Sequence, residues 1–101
     1  MRRVMVKYRV KADRVAENER LIADVFAELA NARLPVQYAA YRMPDGVSFV
    51  HVAAVELVEG KNPLVALPAF QRYVAEIGAR CDEPPVSTEL AAIGVFAGSP
   101  A

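Results

Sequence analysis

The chain has 101 residues, 54% of them hydrophobic, and its twelve Lys and Arg are balanced by twelve Asp and Glu. That length gives one core of ordinary domain size, so residues 1–101 read as a single domain, and the neutral balance leaves no global field to hold a nucleic-acid backbone. A lone Cys81 excludes an internal disulfide and a thiolate metal cluster, and no apolar run is long enough to span a membrane; both fit a reducing, cytoplasmic setting.

From Val4 the pattern alternates strictly: Val4, Val6, Tyr8 and Val10 point one way, and Arg3, Met5, Lys7, Arg9 and Lys11 the other. This predicts a strand with one buried face. Lys7 and Arg9 also interrupt the segment before it reaches the apolar length of a signal peptide. Asp13 is a candidate helix cap, after which Val15, Ile22, Val25, Phe26 and Leu29 recur at helical spacing, predicting a helix from about Arg14 to Ala32. Pro35 closes that region.

Val36 to Met43 and Val47 to Val58 are rich in β-branched and aromatic residues, and Pro44-Asp45-Gly46 between them reads as a tight turn. A loop of those three residues sets Tyr41 opposite Phe49 and Ala39 opposite His51, gathering Tyr41, Phe49 and His51 on one side. A loop longer by one residue breaks that grouping. Further on, Pro68 suits a helix start, and Phe70, Tyr73, Val74, Ile77 and Cys81 form an apolar stripe over a helix from about Pro68 to Arg80. Pro84-Pro85 follows, and Val86 to Phe96 reads as a last strand. The order is β-α-β-β-α-β, the split βαβ arrangement of a ferredoxin-like α+β domain with two helices on one face of an antiparallel sheet.

The third strand is apolar on both sides, with Phe49, Ala53 and Val55 on one and Val50, Val52 and Ala54 on the other. Helices cover one face only, so the other needs a cover, most simply a second copy, giving a homodimer through the sheet face. The first strand's basic side is the exception, and Glu56 and Glu89 on adjacent strands are its candidate partners.

The element order, the length and the apolar final segment resemble the dimeric α+β barrel superfamily, particularly its antibiotic biosynthesis monooxygenase-like members. Phe49-Val50-His51-Val52, Leu67-Pro68-Ala69-Phe70 and Glu83-Pro84-Pro85 are similar to a bacterial branch of it, for which the resemblance implies a fold and no particular reaction. It also implies a homodimer with facing sheets and a small pocket in each subunit between sheet and helices. Oxygenases of the superfamily work in such pockets without a metal, or on haem bound as substrate, with Asn, Trp, Tyr and His as recurring polar groups. This chain has no Trp and its first strand has no Asn, so the haem-degrading pattern has no matching positions.

His51 is the sole histidine, and its titration range suits a general base for a phenolic or enolisable substrate; a structural histidine bonded to a Tyr or a carbonyl is the alternative. Asn18 shares the wheel angle of Ile22, Val25 and Leu29, which turns an amide towards the sheet, where it meets either a ligand or a strand end. Tyr8, Tyr38, Tyr41 and Tyr73, with Phe49, are candidates to line an aromatic pocket, or are ordinary core and interface; Tyr41, Phe49 and Tyr73 are taken with Asn18 as the binding set. The five glycines are scattered singly, so no phosphate-cradling loop exists and no cofactor is indicated. Two functions remain open: a homodimer that binds a small aromatic molecule without catalysis, and a cofactor-independent monooxygenase-like enzyme acting on an aromatic or quinone-like substrate.

Overall fold

The alternating first segment forms strand β1 (Arg2–Val10), whose even-numbered residues Tyr8 and Val10 are buried. The computed structural model describes residues 1–98. A short 3-10 turn (Ala12–Arg14) leads into helix α1 (Val15–Asn31), then come β2 (Val36–Arg42) and β3 (Ser48–Val55), a second 3-10 turn (Pro63–Ala66), helices α2 (Pro68–Val74) and α3 (Ile77–Arg80), and β4 (Cys81–Leu90). The four strands make one antiparallel sheet in the order β2-β3-β1-β4. This is the α+β, ferredoxin-like arrangement, with the helices packed on one face.

Four expectations are corrected. Asp13 lies inside the 3-10 turn, and α1 starts without a side-chain cap. The hairpin loop is longer by one residue. Asp45 Oδ1 accepts from the amides of both Val47 (3.0 Å) and Ser48 (2.8 Å), and the Met43 amide donates to the Ser48 carbonyl, so Val47 is drawn into the turn. Gly46, at φ 79°, takes the left-handed conformation this turn requires. Register follows: Tyr41 pairs with Val50, Ala40 with His51 and Arg42 with Phe49.

The second helix is broken. Glu76 takes φ 59°, and the carbonyls freed at Tyr73 and Ala75 both accept from the Arg80 guanidinium. The other end of α2 is held by α1, where Glu28 Oε2 accepts from the Ala69 amide at 2.8 Å and satisfies a helix-start donor. Finally, the last strand spans Cys81–Leu90, and residues 91–98 carry no regular structure. Pro84 and Pro85 are tolerated because β4 is an edge strand whose pairing with β1 is irregular between Lys7 and Arg9, leaving both prolines outside the register.

The helix face of the sheet holds the core. Tyr8, Val10, Val25, Phe49, Ala69, Tyr73 and Cys81 pack together, and Ala53, Val55 and Leu64 form a second cluster. No helix of the described residues covers the opposite face, where Val52, Tyr41, Val86 and Leu90 are exposed. The basic residues of β1 meet Glu89 and Glu83: Arg2 and Arg9 lie 3.9 Å from them, with both pairs wet, while Glu56 makes no ion pair among the described residues.

Candidate functional site

Strand β3 turns Phe49, His51, Ala53 and Val55 towards the helices, and all four are buried. Register sets Val6 of β1 opposite His51 and Tyr8 opposite Phe49. The Tyr8 ring therefore stacks on Phe49, with centroids 5.5 Å apart, and its hydroxyl becomes a hub. That oxygen lies 2.8 Å from His51 Nε2, 2.8 Å from the Tyr73 hydroxyl, and 3.0 Å from Asn18 Nδ2. On the far side of the imidazole, the Tyr38 hydroxyl of β2 reaches His51 Nδ1 at 2.7 Å. Tyr73 of α2 also stacks on the imidazole, centroids 5.3 Å apart and planes 15° from parallel.

Asn18, in the early turns of α1, is wholly buried, and its Oδ1 faces Arg80 Nε at 3.4 Å. Arg80 is itself only 3% exposed, lies over the Tyr73 ring, and has no carboxylate in ion-pairing range among the described residues. Its charge is held by the carbonyls of Tyr73 and Ala75 and by the Asn18 amide. A connected chain thus runs from Arg80 through Asn18, Tyr8 and His51 to Tyr38, with Tyr73 joined at Tyr8. Every buried side-chain nitrogen and oxygen of the described residues has a partner.

Burial sets the protonation states. Removal from water holds the His51 pKa down to about 4, so the imidazole is neutral at neutral pH. The same cause pushes the Tyr8, Tyr38 and Tyr73 hydroxyls above their ordinary value, leaving all three protonated. Cys81 is likewise raised by burial and is no reactive thiolate.

Next to this chain, between the sheet and α2, is a cavity of about 260 Å³. Val4, Val6, Ala53, Val55, Leu64 and Phe70 give it apolar walls; Tyr38, His51 and Tyr73 supply a polar end, and Arg2, Asn62 and Ser87 line it too, with the exposed Leu57 and Val74. Among the described residues no group of three or more His, Cys, Asp or Glu is arranged to hold a metal ion.

Of the residues singled out from sequence, His51 and Tyr73 line the cavity. Asn18 sits one layer behind, connected through Tyr8, and Phe49 lies beneath the Tyr8 ring. Tyr41 is not beside His51: the longer turn puts it opposite Val50, on the other face of the sheet, 59% exposed. The same change brings Tyr38 to the site in its place. Sequence reasoning offers Tyr8 and Tyr38 only as pocket-lining candidates and does not reach the hub role of Tyr8 or Arg80 as the buried cation. A signal for Arg80 existed, since Tyr73, Ile77 and Arg80 follow one another at helical spacing and put a guanidinium on an apolar stripe.

No family model and no curated protein matches the chain in sequence. Solved structures do match in fold. An antibiotic biosynthesis monooxygenase superposes with a TM-score of 0.76 at 16% identity, covering 93% of this chain and 100% of its own. Rv0793 from Mycobacterium tuberculosis gives 0.76 at 17% identity over 95% and 98% of the two chains. SnoaB, a cofactor-independent oxygenase from Streptomyces nogalater, gives 0.68 at 19% identity over 94% and 95%. The chain therefore has the fold of the antibiotic biosynthesis monooxygenase-like proteins, over nearly its whole length.

Proposed function

We propose that the chain is a homodimeric small-molecule-binding protein whose cavity takes a flat aromatic or quinone-like ligand. The observation that carries this reading is the cavity itself, apolar on its walls and ending on Tyr38, His51 and Tyr73. An apolar cavity of about 150 Å³ accepts one benzene ring. The roughly 260 Å³ here suits a one- or two-ring molecule carrying a polar substituent at one end. The homodimer is supported by the open sheet face, since Val52, Tyr41, Val86 and Leu90 leave apolar surface that a second copy would cover.

The test is calorimetric titration with two-ring aromatic ketones. Saturable binding to the wild type, with at least a ten-fold loss in Ala53→Leu, which fills the cavity from β3, supports the reading. Equal binding by both proteins places the ligand elsewhere and defeats it.

A second reading, cofactor-independent oxygenation of a phenolic or quinol-type substrate, is favoured by the fold shared with SnoaB and by the imidazole at the cavity's polar end. It requires His51 to take a proton from the substrate. A base held down to about 4 by burial is poorly matched to that task at neutral pH, so binding is placed first. Oxygen uptake on adding a hydroxylated naphthalene, lost in His51→Gln, would reverse the order.

A further inference from the structure

We infer that the cavity selects a ligand presenting a hydrogen-bond acceptor, a carbonyl oxygen of the ketone or quinone class, over one presenting a hydroxyl donor, and that Asn18 sets this polarity from behind the site. The inference rests on the cavity being a ligand site and comes from counting hydrogens along the buried chain.

The count starts at Arg80. A guanidinium only donates, so the amide oxygen of Asn18 must face it and the amide nitrogen must face Tyr8. Beyond that point four close contacts each need one hydrogen: Asn18 to Tyr8, Tyr8 to Tyr73, Tyr8 to His51, and His51 to Tyr38. The Tyr73 hydroxyl also lies 3.4 Å from His51 Nε2, but that nitrogen has a single lone pair or a single hydrogen and the nearer Tyr8, at 2.8 Å, takes it. Five hydrogens are available for them, one from the Asn18 amide, one from each of three protonated tyrosines, and one from the neutral imidazole.

One hydrogen is therefore left over. With Tyr73 donating to Tyr8, the Tyr8 hydroxyl donates to His51 Nε2, His51 Nδ1–H donates to the Tyr38 oxygen, and the Tyr38 hydrogen has no partner in the chain. In the other imidazole tautomer the unmatched hydrogen belongs to Tyr73. Both tyrosines line the cavity, so either way the unmatched donor belongs to a residue at its polar end. A carbonyl oxygen completes that bond. A ligand hydroxyl that accepts it would bury its own hydrogen unpaired.

Asn18 does not line the cavity, which makes it a clean test. In Asn18→Asp the amide donor becomes an acceptor of nearly the same shape, facing the Arg80 cation on its other side. Tyr8 then donates to the carboxylate, the imidazole hydrogen moves to Nε2 to serve Tyr8, and Tyr38 donates to Nδ1. Four hydrogens fill four contacts, and the cavity end turns from donor to acceptor.

The probes are α-tetralone, α-tetralol and tetralin, which share one two-ring skeleton and differ in offering an acceptor, a hydroxyl, or neither. The wild type should bind the ketone about three- to ten-fold more tightly than the alcohol or the hydrocarbon. Asn18→Asp should reverse the ketone–alcohol order, and nitrogen-15 spectra of the single histidine should show the hydrogen moved from Nδ1 to Nε2. Should that variant not fold, the wild-type order alone decides. Equal binding of all three by the wild type overturns the inference while leaving the cavity reading standing, as does an alcohol bound more tightly than the ketone. No binding of any probe overturns both.

Discussion

The two faces of the sheet solve opposite problems with neighbouring residues of the same strands. On the helix face, β3 contributes Phe49, His51, Ala53 and Val55, all buried, and the one polar group among them, His51, is bonded at both ring nitrogens, to Tyr8 and Tyr38. On the open face, the intervening Val50 and Val52 lie beside Met5 and Tyr41, apolar groups without a cover in the single chain. Buried polarity needs partners fixed in place, whereas exposed apolar surface needs only an equally apolar partner. Under the proposed function, the first face is the one that would recognise a small molecule and the second the one that would meet another copy.

Placing a charge on each face separates these roles most sharply. Phe49→Asp puts a carboxylate in the core against Tyr8, and it should cost more than about 4 kcal/mol and abolish cooperative unfolding in urea. Val52→Asp, three residues along on the other face, should keep the fold and its urea midpoint. It should instead shift sedimentation from dimer to monomer. A wild type that sediments as a monomer at micromolar concentration would contradict the role given to the open face.

Acid should act through the helix face. His51 is held near 4 in the folded chain against an ordinary value of 6.5, so the unfolded chain binds more protons between those limits. The associated stability is fully present above about pH 6.5 and is lost as pH falls towards 4. The loss is on the order of 3 kcal/mol at about 1.4 kcal/mol per pH unit. Urea midpoints measured from pH 7.5 down to 4 for the wild type and His51→Gln should converge or cross, because the carboxylates common to both cancel in the difference. Parallel curves would show that His51 titrates normally.

Within the network, the hub should matter more than the end. Tyr8→Phe strands the Asn18 amide nitrogen and leaves His51 Nε2 and the Tyr73 hydroxyl only each other, at 3.4 Å, and should destabilise by about 2 kcal/mol. Tyr38→Phe removes the last link, beside a cavity where water can substitute, and should cost about 1 kcal/mol or less. Similar losses in the two variants would mean that Tyr8 does not organise the chain. The smallest effect belongs to the basic edge of β1, where neutralising Lys7 and Arg9 together should leave the urea midpoint unchanged, since Arg9 and Glu83 meet at 3.9 Å in solvent.

Much of this was legible in the sequence because it rests on period. Alternation from Val4 to Val10 identified a strand with Tyr8 inward, and the wheel position of Asn18 showed an amide entering the core. Period cannot report what side chains do to loops and helix ends. The Asp45 carboxylate captures two amides and lengthens the turn by one residue, which exchanges Tyr41 for Tyr38 at His51. Arg80 accepts the consequences of a helix break that the uninterrupted stripe from Phe70 to Cys81 conceals. Pro84 and Pro85 precede the last strand expected from Val86, yet they fall within β4, outside its register with β1. In each case a side-chain hydrogen bond to the backbone or an irregular pairing overrode the periodic pattern.

Entry of a small aromatic carbonyl compound into the cavity beside His51 can be read from the imidazole itself. His51 is the only histidine, so its ring resonances need no assignment by mutation. Adding α-tetralone should shift them saturably, with a dissociation constant below about 1 mM for a ligand of this size, while the methyl signals of Val52 on the open face stay in place. Saturable shifts at Val52 with His51 unmoved would place the ligand on the open face of the sheet and rule out the proposed site.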